Sequence, residues 1–259
     1  MARLQPAQQT SDRPDTRAAR RVRRMYDRLA SLWGAQQWWP AEDSFEVVIG
    51  AFLTQNTAWK SVQRSIANLK ARGVLSVAGL LSIPEDELRV LIRPSGFMLR
   101  KAAALKTFAS FLDAHYSGRM ENLARAAQRD ATPIRDRLLA LPAVGPETSD
   151  AILLYALEVP AMVVDEYMRR VFTRHGLLPE KAKYTNHQSL AEHAFAADAA
   201  SESPAALAGH YNEFHALMVQ IGKLHCGRTP RCTGCPLAYD LPKESPLRAG
   251  SAPPHTLKP

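Results

Sequence analysis

The apolar residues of this chain recur at the spacing of a helix face along most of its length, and no stretch keeps the apolar–polar alternation of a half-buried strand. The first two stripes are Phe45, Val48, Ile49 and Phe52, followed by Val62, Ile66 and Leu69. Further amphipathic segments cover residues 101–114, 134–141, 148–157, 166–175 and 206–223. The pattern predicts an all-α protein of about ten short helices.

Local signals predict where two of these helices end and begin. Gly73 follows the second stripe, where a glycine ends a helix because it adopts a left-handed conformation without strain. Ser82 and Glu85 are three residues apart, with Pro84 between them, which is the pattern of a capping box. We therefore expect a helix to begin there and to continue through Leu88.

Length and composition are those of a soluble globular protein. The 259 residues suffice for one large or two small domains, with 46% hydrophobic and 22% charged residues. No stretch is apolar enough to span a membrane, and the N-terminus has no apolar signal core. We expect a protein of the cytoplasm, associated in a bacterium with the nucleoid.

Positive charge is concentrated at the N-terminus. The first 24 residues hold seven arginines and two aspartates, whereas the rest of the chain carries a net charge of only +3. Residues 1–19 are predicted to form a disordered basic arm, which either binds phosphates through counterion release or is a solvated tail without a role. Residues 243–259 are predicted to form a flexible tail.

The three cysteines all lie within ten residues. They are Cys226, Cys232 and Cys235. An odd number leaves one thiol over in any disulfide pattern, and a reducing compartment disfavours disulfides. Clustering of this kind indicates metal ligation.

A short segment between two predicted helices has the form of a phosphate-binding turn. It reads Leu141-Pro142-Ala143-Val144-Gly145, and a second motif, Val163-Val164-Asp165, brings a carboxylate to the start of a later helix. Backbone N–H groups of such a turn, and the helix N-terminus after it, attract phosphate. We expect Gly145 to be required by a positive φ or by close approach of the phosphate. The predicted DNA contacts are Leu141, Pro142, Ala143, Val144, Gly145 and Thr148.

Taken together, LPAVGPETSDAILLYAL and VVDEYMRRVF resemble the helix–hairpin–helix and Gly/Pro…Asp signature of the endonuclease III superfamily of DNA glycosylases. The resemblance extends upstream to FEVVIGAFLTQNTAW and downstream to the cysteines, covering about residues 33–240. It implies an all-α, two-lobed helix–hairpin–helix glycosylase fold. A helical barrel would span residues 36–159, and a helical iron–sulfur domain would combine 20–35 with 160–242. It also implies a monomer that binds double-stranded DNA containing a damaged base.

In this family the catalytic aspartate corresponds to Asp165. Base excision passes through an oxocarbenium-like sugar, which an ionised carboxylate stabilises while it orients or deprotonates water. Asp165 also stands at a helix N-cap, a role that is compatible because it lowers the pKa of a carboxyl. The family's lyase lysine corresponds to Glu147, which forms no Schiff base, so the resemblance implies base release without strand cleavage. Alternatively, Glu147 is only an acid in the first turn of a helix. Ala143 replaces the family's usual hairpin glycine.

The aromatic residues resemble those of the 3-methyladenine glycosylase branch, in which rings enclose the flipped base. They are Trp38, Trp39 and Trp59, flanking the segment WWP…LTQNTAW. An N-methylated purine is cationic, so stacking and cation–π attraction select it. Core packing of the tryptophans is the alternative, and Phe45 is assigned to the core. Gln55 corresponds to the residue that fills the vacated stack and Asn56 to a contact with the opposite strand, unless either only caps the next helix.

The family's cysteine loop implies a [4Fe–4S] cluster. Its four cysteines are spaced x6, x2 and x5, whereas this chain has x5 and x2 and no fourth cysteine. Asp240 stands nearest the missing position and His225 is its rival. Structural zinc, or a loop without metal, are the alternatives.

The resemblance leaves three functional hypotheses open. The preferred one is a monofunctional glycosylase for alkylated purines such as 3-methyladenine. The second is an endonuclease III-like glycosylase for oxidised or deaminated pyrimidines. The third is a DNA-binding relative with little or no turnover, for which Ala143, Glu147 and the missing cysteine are arguments.

Overall fold

The computed structural model describes residues 16–36, 38–39 and 41–250, with the side chains of 249 and 250 left aside. Within these residues the chain is all-helical and has no strand. None of the described helices is long and apolar enough to cross a membrane. Most of the predicted basic arm, residues 1–15, and the end of the predicted tail, residues 251–259, lie outside the described residues.

The described residues form thirteen α-helices, more than the sequence pattern predicts, because several stripes are divided by short turns. They are α1 (Thr16–Trp33), α2 (Ser44–Thr54), α3 (Trp59–Ala71), α4 (Val77–Ser82), α5 (Glu85–Leu91), α6 (Met98–Tyr116), α7 (Met120–Arg129), α8 (Ala131–Leu139), α9 (Pro146–Ala151), α10 (Glu166–Arg174), α11 (Tyr184–Ala194), α12 (Ala196–Ser201) and α13 (Pro204–Leu224). A π-helical segment, Ile152–Ala156, continues α9. Short 3₁₀ turns cover Arg93–Ser95, Ala238–Asp240 and Pro246–Gly250.

Two hydrophobic cores organise the molecule. The first surrounds α2, in which residues 45–53 are all buried, as expected of a helix that is apolar on every side. It is closed by α3, α6 and the π-helical segment, and it contains Phe45, Phe52 and Phe108. Phe45 is therefore a core residue, as the sequence indicates.

The second core is built from α1, α10, α11 and α13. The α10 and α13 helices approach closely because Gly222 has no side chain, and a Cβ there would overlap the Tyr167 ring. Residues 16–19, which the sequence assigns to a disordered arm, instead belong to α1, where Ala18 and Ala19 are buried. Arg21 is bound to Asp240 rather than being free for phosphate.

The two local signals, Gly73 as a helix end and Ser82 with Glu85 as a capping box, have different outcomes. Gly73 ends α3 with a φ of +72°, as predicted. The capping box is wrong: Ser82 belongs to the end of α4, and its hydroxyl donates to the Gly79 carbonyl. Pro84 precedes α5 without a side-chain cap. A helix does begin there, at Glu85, and includes Leu88 as predicted, so only the side-chain cap fails.

A buried carboxylate ties α9 to the second core. Asp150 is fully buried and forms a two-pronged ion pair with Arg135, with N–O distances of 2.6 and 3.1 Å. The Tyr184 hydroxyl and the Gln188 amide each donate to it at 2.8 Å. Tyr184 also accepts from the Val164 N–H at 3.3 Å. The network thereby positions the segment that leads into Asp165.

Candidate active site and cysteine loop

Asp165 is the N-cap of α10 and is buried. Its Oδ1 accepts a hydrogen bond from the Met168 N–H at 2.7 Å, while Oδ2 lies 3.7 Å from His215 Nε2. Burial raises the pKa of Asp165, against the opposing effects of His215 and of the N–H groups. Capping lowers this pKa, as expected, but desolvation outweighs it, so the net shift is upward. A carboxylate with a raised pKa is a stronger base.

His215 and Tyr155 complete the surroundings of Asp165. His215 lies on α13 and shares a hydrogen bond with the Tyr155 hydroxyl through Nδ1. Its Nε2 is buried without a hydrogen-bond partner among the described residues. Burial lowers the pKa of His215 and raises that of Tyr155 well above its usual value. The two residues are sixty positions apart, and no sequence signal identifies them.

The predicted aromatic residues are linked to Asp165 through Tyr155 and His215. Trp39 stacks on Tyr155 with ring centroids 5.1 Å apart and meets Trp59 edge-on at 5.4 Å. Trp38 packs edge-on against His215 at 6.4 Å. Among the described residues, both indole N–H groups of Trp38 and Trp39 are buried without an acceptor. Unpaired buried donors of this kind suit a ligand that brings acceptors.

Gln55 lies in the loop after α2 and is hydrogen-bonded to the hairpin of residues 141–145 and to the helix after it. Its amide donates to the Ala143 carbonyl at 2.9 Å and to the Thr148 hydroxyl at 3.0 Å. Thr148 is buried, so its side chain is not placed to reach phosphate as predicted. Asn56 is exposed at the tip of the loop with a φ of +51°. The side chains of Gln55 and Asn56 are therefore oriented differently, one toward the hairpin and one toward solvent.

The hairpin backbone differs from expectation in one respect. The positive φ falls on Ala143, at +65°, and not on Gly145, which is extended with φ −102° and ψ 180°. A Cβ at Gly145 would meet nothing within 4 Å, so the protein itself does not require glycine there. The predicted approach of phosphate to Gly145 stays a prediction. Ala143 instead adopts a conformation that favours glycine.

A second turn, Arg93–Ser95, lies beside the loop that contains Gln55, and Lys101 connects the two. The Lys101 ammonium is buried and donates to the Leu53 carbonyl, the Thr57 hydroxyl and the Ser95 carbonyl, each at 2.8 Å. Desolvation lowers its pKa to about 8. Next to this turn, Phe97 is left-handed and 65% exposed. Sequence reasoning assigned a role to neither residue, although the segment Arg93–Phe97 belongs to the resemblance to the 3-methyladenine glycosylase branch.

Glu147 stands in the first turn of α9 and is accessible to solvent. Desolvation, then the negative charges of Asp165 and Glu166, raise its pKa to about 7. The electrostatic interaction with Asp165 indicates that the two carboxyl groups lie in the same region of the site. A protonated Glu147 would add no negative charge beside Asp165.

The three cysteines line one cavity at the end of α13. The apolar part of its wall comes from Val171, Ile221, Leu237 and Leu241, and His225 and Arg174 also line it. Arg174 donates to the Cys226 sulfur at 3.2 Å and to the carbonyls of residues 226–228. Burial and neighbouring thiols raise the pKa of Cys235 to about 11. The structure therefore brings together the cysteines that the sequence groups.

Asp240 does not join them. It is not among the residues that line the cavity. Its carboxylate is 6% exposed and is held by Arg21 at 3.0 and 2.7 Å and by His175 at 3.2 Å. Both oxygens are thus engaged elsewhere. The proposed role of Asp240 as a cluster ligand needs correction for this reason.

The chain is similar to known proteins in both sequence and fold. The sequence is 41% identical to a Methanocaldococcus jannaschii protein provisionally assigned as a DNA repair glycosylase, over 83% of this chain and 93% of that one. It is 28% identical to a thymine-DNA glycosylase of Aeropyrum pernix, over 77% and 82%. The structure matches that of an H. pylori 3-methyladenine DNA glycosylase bound to 1,N6-ethenoadenine, with a TM-score of 0.66, 29% identity, and 78% and 97% coverage. A non-covalent endonuclease III–DNA complex matches with a TM-score of 0.70 at 24% identity, over 89% and 98%, which supports the fold alone. Residues 49–196 match the family described as HhH-GPD superfamily base excision DNA repair protein, and the chain belongs to this family.

Proposed function

We propose that this DNA glycosylase is monofunctional and releases alkylated purines, 3-methyladenine first, without cutting the strand. The observation that carries the proposal is the group of Trp38, Trp39, Trp59 and Tyr155, which is linked through His215 to the buried carboxylate of Asp165. Aromatic faces attract a cationic base, and their selectivity increases as water is excluded. The similar H. pylori 3-methyladenine glycosylase supports this choice.

Asp165 performs the central step. As the bond between C1′ and the base nitrogen breaks, its electron pair goes to the base and neutralises the cationic purine. Positive charge develops on the sugar, and the Asp165 carboxylate stabilises it. Water then forms the new bond to C1′ and gives its proton to Asp165, whose raised pKa favours this transfer.

Glu147 accounts for the absence of strand cleavage in this proposal. Strand cleavage in the family's bifunctional members requires an amine that attacks the sugar. Glu147 occupies that position, and its carboxyl shares an electrostatic environment with Asp165. With a pKa near 7 it is partly protonated at neutral pH and available as a hydrogen-bond donor to the base or the sugar.

DNA is proposed to bind along the hairpin and the two turns beside it. The backbone of residues 141–145 would contact phosphate, while Asn56 and Phe97 are exposed and close enough in the fold to enter the duplex. We propose a monomer of two lobes, residues 36–159 and residues 20–35 with 160–242. We also propose that it acts in the cytoplasm, on nucleoid DNA.

Pyrimidine lesions form the second candidate substrate class. The thymine-DNA glycosylase of A. pernix and an endonuclease III of Bacillus subtilis are relatives at 28% and 27% identity. The unpaired indole N–H groups of Trp38 and Trp39 would suit carbonyl oxygens of a pyrimidine as well as ring nitrogens of a purine.

The cysteine loop is proposed to hold a [4Fe–4S] cluster. The three cysteines line one cavity, as the thiolate ligands of a single cluster would. The apolar wall and the N–H···S contact from Arg174 also fit a cluster. When bound, the cluster would make the loop that carries Lys223, Arg228 and Arg231 more rigid.

The test is excision from duplexes carrying 3-methyladenine, thymine glycol, 5-hydroxycytosine or uracil, each with and without alkali. We expect release of 3-methyladenine, with breaks only after alkali. Asp165→Asn should lower the single-turnover rate by at least about 10²-fold while DNA binding persists. Asp130→Asn is the matched control, because Asp130 also caps a helix but lies on α8 away from the site. Retained excision by Asp165→Asn would refute the mechanism, and binding without release from any duplex would favour the non-catalytic reading.

A further inference from the structure

The cavity at the end of α13 holds one more side chain suited to ligation. Three thiolates leave one corner of a four-iron cluster without a protein ligand. The described residues at the cavity include two histidines, His175 and His225. His175 lies outside the cysteine loop, where its Nδ1 is 3.2 Å from Asp240 and its carbonyl accepts from Arg21, whereas His225 directly precedes Cys226.

His225 is held in the arrangement of a metal-binding imidazole. Its Nδ1 lies 3.0 Å from the Arg231 carbonyl oxygen. A carbonyl only accepts, so Nδ1 carries the proton and, in the neutral ring, Nε2 keeps its lone pair. Histidines that bind metals typically donate their other N–H to a carbonyl or carboxylate, which fixes the ring.

The backbone reinforces this arrangement. The Arg231 N–H donates to the His225 carbonyl at 2.7 Å, so residues 225 and 231 exchange hydrogen bonds in both directions. This pair closes the turn between Cys226 and Cys232. The imidazole is thereby fixed relative to two of the three sulfurs before any metal arrives, which reduces the entropic cost of binding.

We propose that His225 Nε2 is the fourth ligand of the cluster, beside the thiolates of Cys226, Cys232 and Cys235. The inference rests on the cluster assigned under the proposed function. A neutral imidazole in place of a thiolate makes the site more positive by one unit, and histidine ligation is known to raise reduction potentials. The site is therefore a three-cysteine, one-histidine centre with a higher potential than its four-cysteine counterpart.

The experiment uses the full chain purified without oxygen. Iron and sulfide are counted, the reduced protein is examined by pulsed electron paramagnetic resonance with 15N-labelled histidine, and the potential is measured. We expect four irons, a strongly coupled histidine nitrogen and, in His225→Cys, loss of that coupling with a lower potential. His225→Ala should lose one iron. Asp240→Asn should keep the iron count, nitrogen coupling and potential while lowering the melting temperature.

The possible outcomes test the histidine ligand, the cluster and the glycosylase function separately. Absence of histidine coupling in the wild-type protein, or iron loss in Asp240→Asn but not in His225→Ala, overturns His225 as the ligand. Zinc or no metal in the wild-type protein overturns the cluster and its ligand together. Release of 3-methyladenine, measured on the same preparations, tests the glycosylase function separately, so the failure of either proposal is distinguishable.

Discussion

Because Lys101 is buried, the free energy of unfolding of this protein should rise between about pH 8 and pH 10.5. The side chain is 3% exposed, and its ammonium donates to the Leu53 carbonyl at the end of α2 and to oxygens of Thr57 and Ser95 in the turns that precede α3 and α6. Desolvation lowers its pKa from 10.5 to about 8. Replacing Lys101 by Met removes the buried charge and its titration but leaves the length of the side chain similar.

The magnitude follows from the two pKa values. The difference is about 2.5 pH units, and each unit corresponds to about 1.4 kcal/mol, so the buried charge costs about 3 kcal/mol. Between pH 8 and 10.5 the unfolded chain keeps this proton and the folded chain releases it. The free energy of unfolding therefore rises with pH across that window, and the cost is fully present below it.

The assay compares urea unfolding of the wild type and Lys101→Met at pH 7 and at pH 10.5. Other titrating groups are common to both proteins, so the wild type should gain about 3 kcal/mol relative to the variant. Lys106→Met is the control, because Lys106 also donates from α6 to carbonyls but is only half-buried. A relative gain below about 1 kcal/mol, or a Lys101 resonance in 13C-lysine spectra that titrates near 10.5, would refute the reasoning.

Three further changes test the site. Glu147→Lys should introduce an amine near the sugar and allow borohydride to trap a protein–DNA adduct, whereas the distant, exposed Glu180→Lys should give none. Ala143→Gly should raise the free energy of unfolding by about 0.5–1 kcal/mol in urea titrations, because glycine adopts φ +65° without strain. Gly50→Ala should raise the KM for 3-methyladenine duplexes, since its Cβ would lie 3.3 Å from the Trp39 indole and displace it. The first prediction is contradicted if Glu147→Lys gives no more adduct than the wild type. The second is contradicted if Ala143→Gly leaves the free energy of unfolding unchanged, and the third if Gly50→Ala leaves the KM unchanged.

Local signals in the sequence predict the parts of the fold and site that depend on neighbouring residues. Asp165 is recognisable because an aspartate at the start of an amphipathic helix is an N-cap, and the structure shows that cap. Gly73 is recognisable for a similar reason. The Ser82 capping box fails although its pattern is present, because Ser82 ends α4 and Ile83, which precedes Pro84, is extended.

The long-range parts of the site have no comparable signal. Tyr155 reaches His215 across sixty positions, and Gln55 reaches Ala143 across eighty-eight. The resemblance predicts that Gln55 fills the DNA stack, but its contact with the hairpin follows only from the packing of α2 against α9. Likewise, a lysine in an amphipathic helix is expected at the surface, and only the fold reveals that Lys101 is buried.

Tyr155 connects base recognition to the catalytic carboxylate. It packs against both hydrophobic cores, stacks on Trp39 and shares a hydrogen bond with His215, which faces Asp165. Trp39 and Tyr155 are in direct contact, and a base inserted between them would set the rings about twice as far apart. One ring must therefore move, or the base must stack on an outer face. Movement of Tyr155 would break its contact with His215 and change the surroundings of Asp165, which would couple occupation of the pocket to the basicity of the carboxylate.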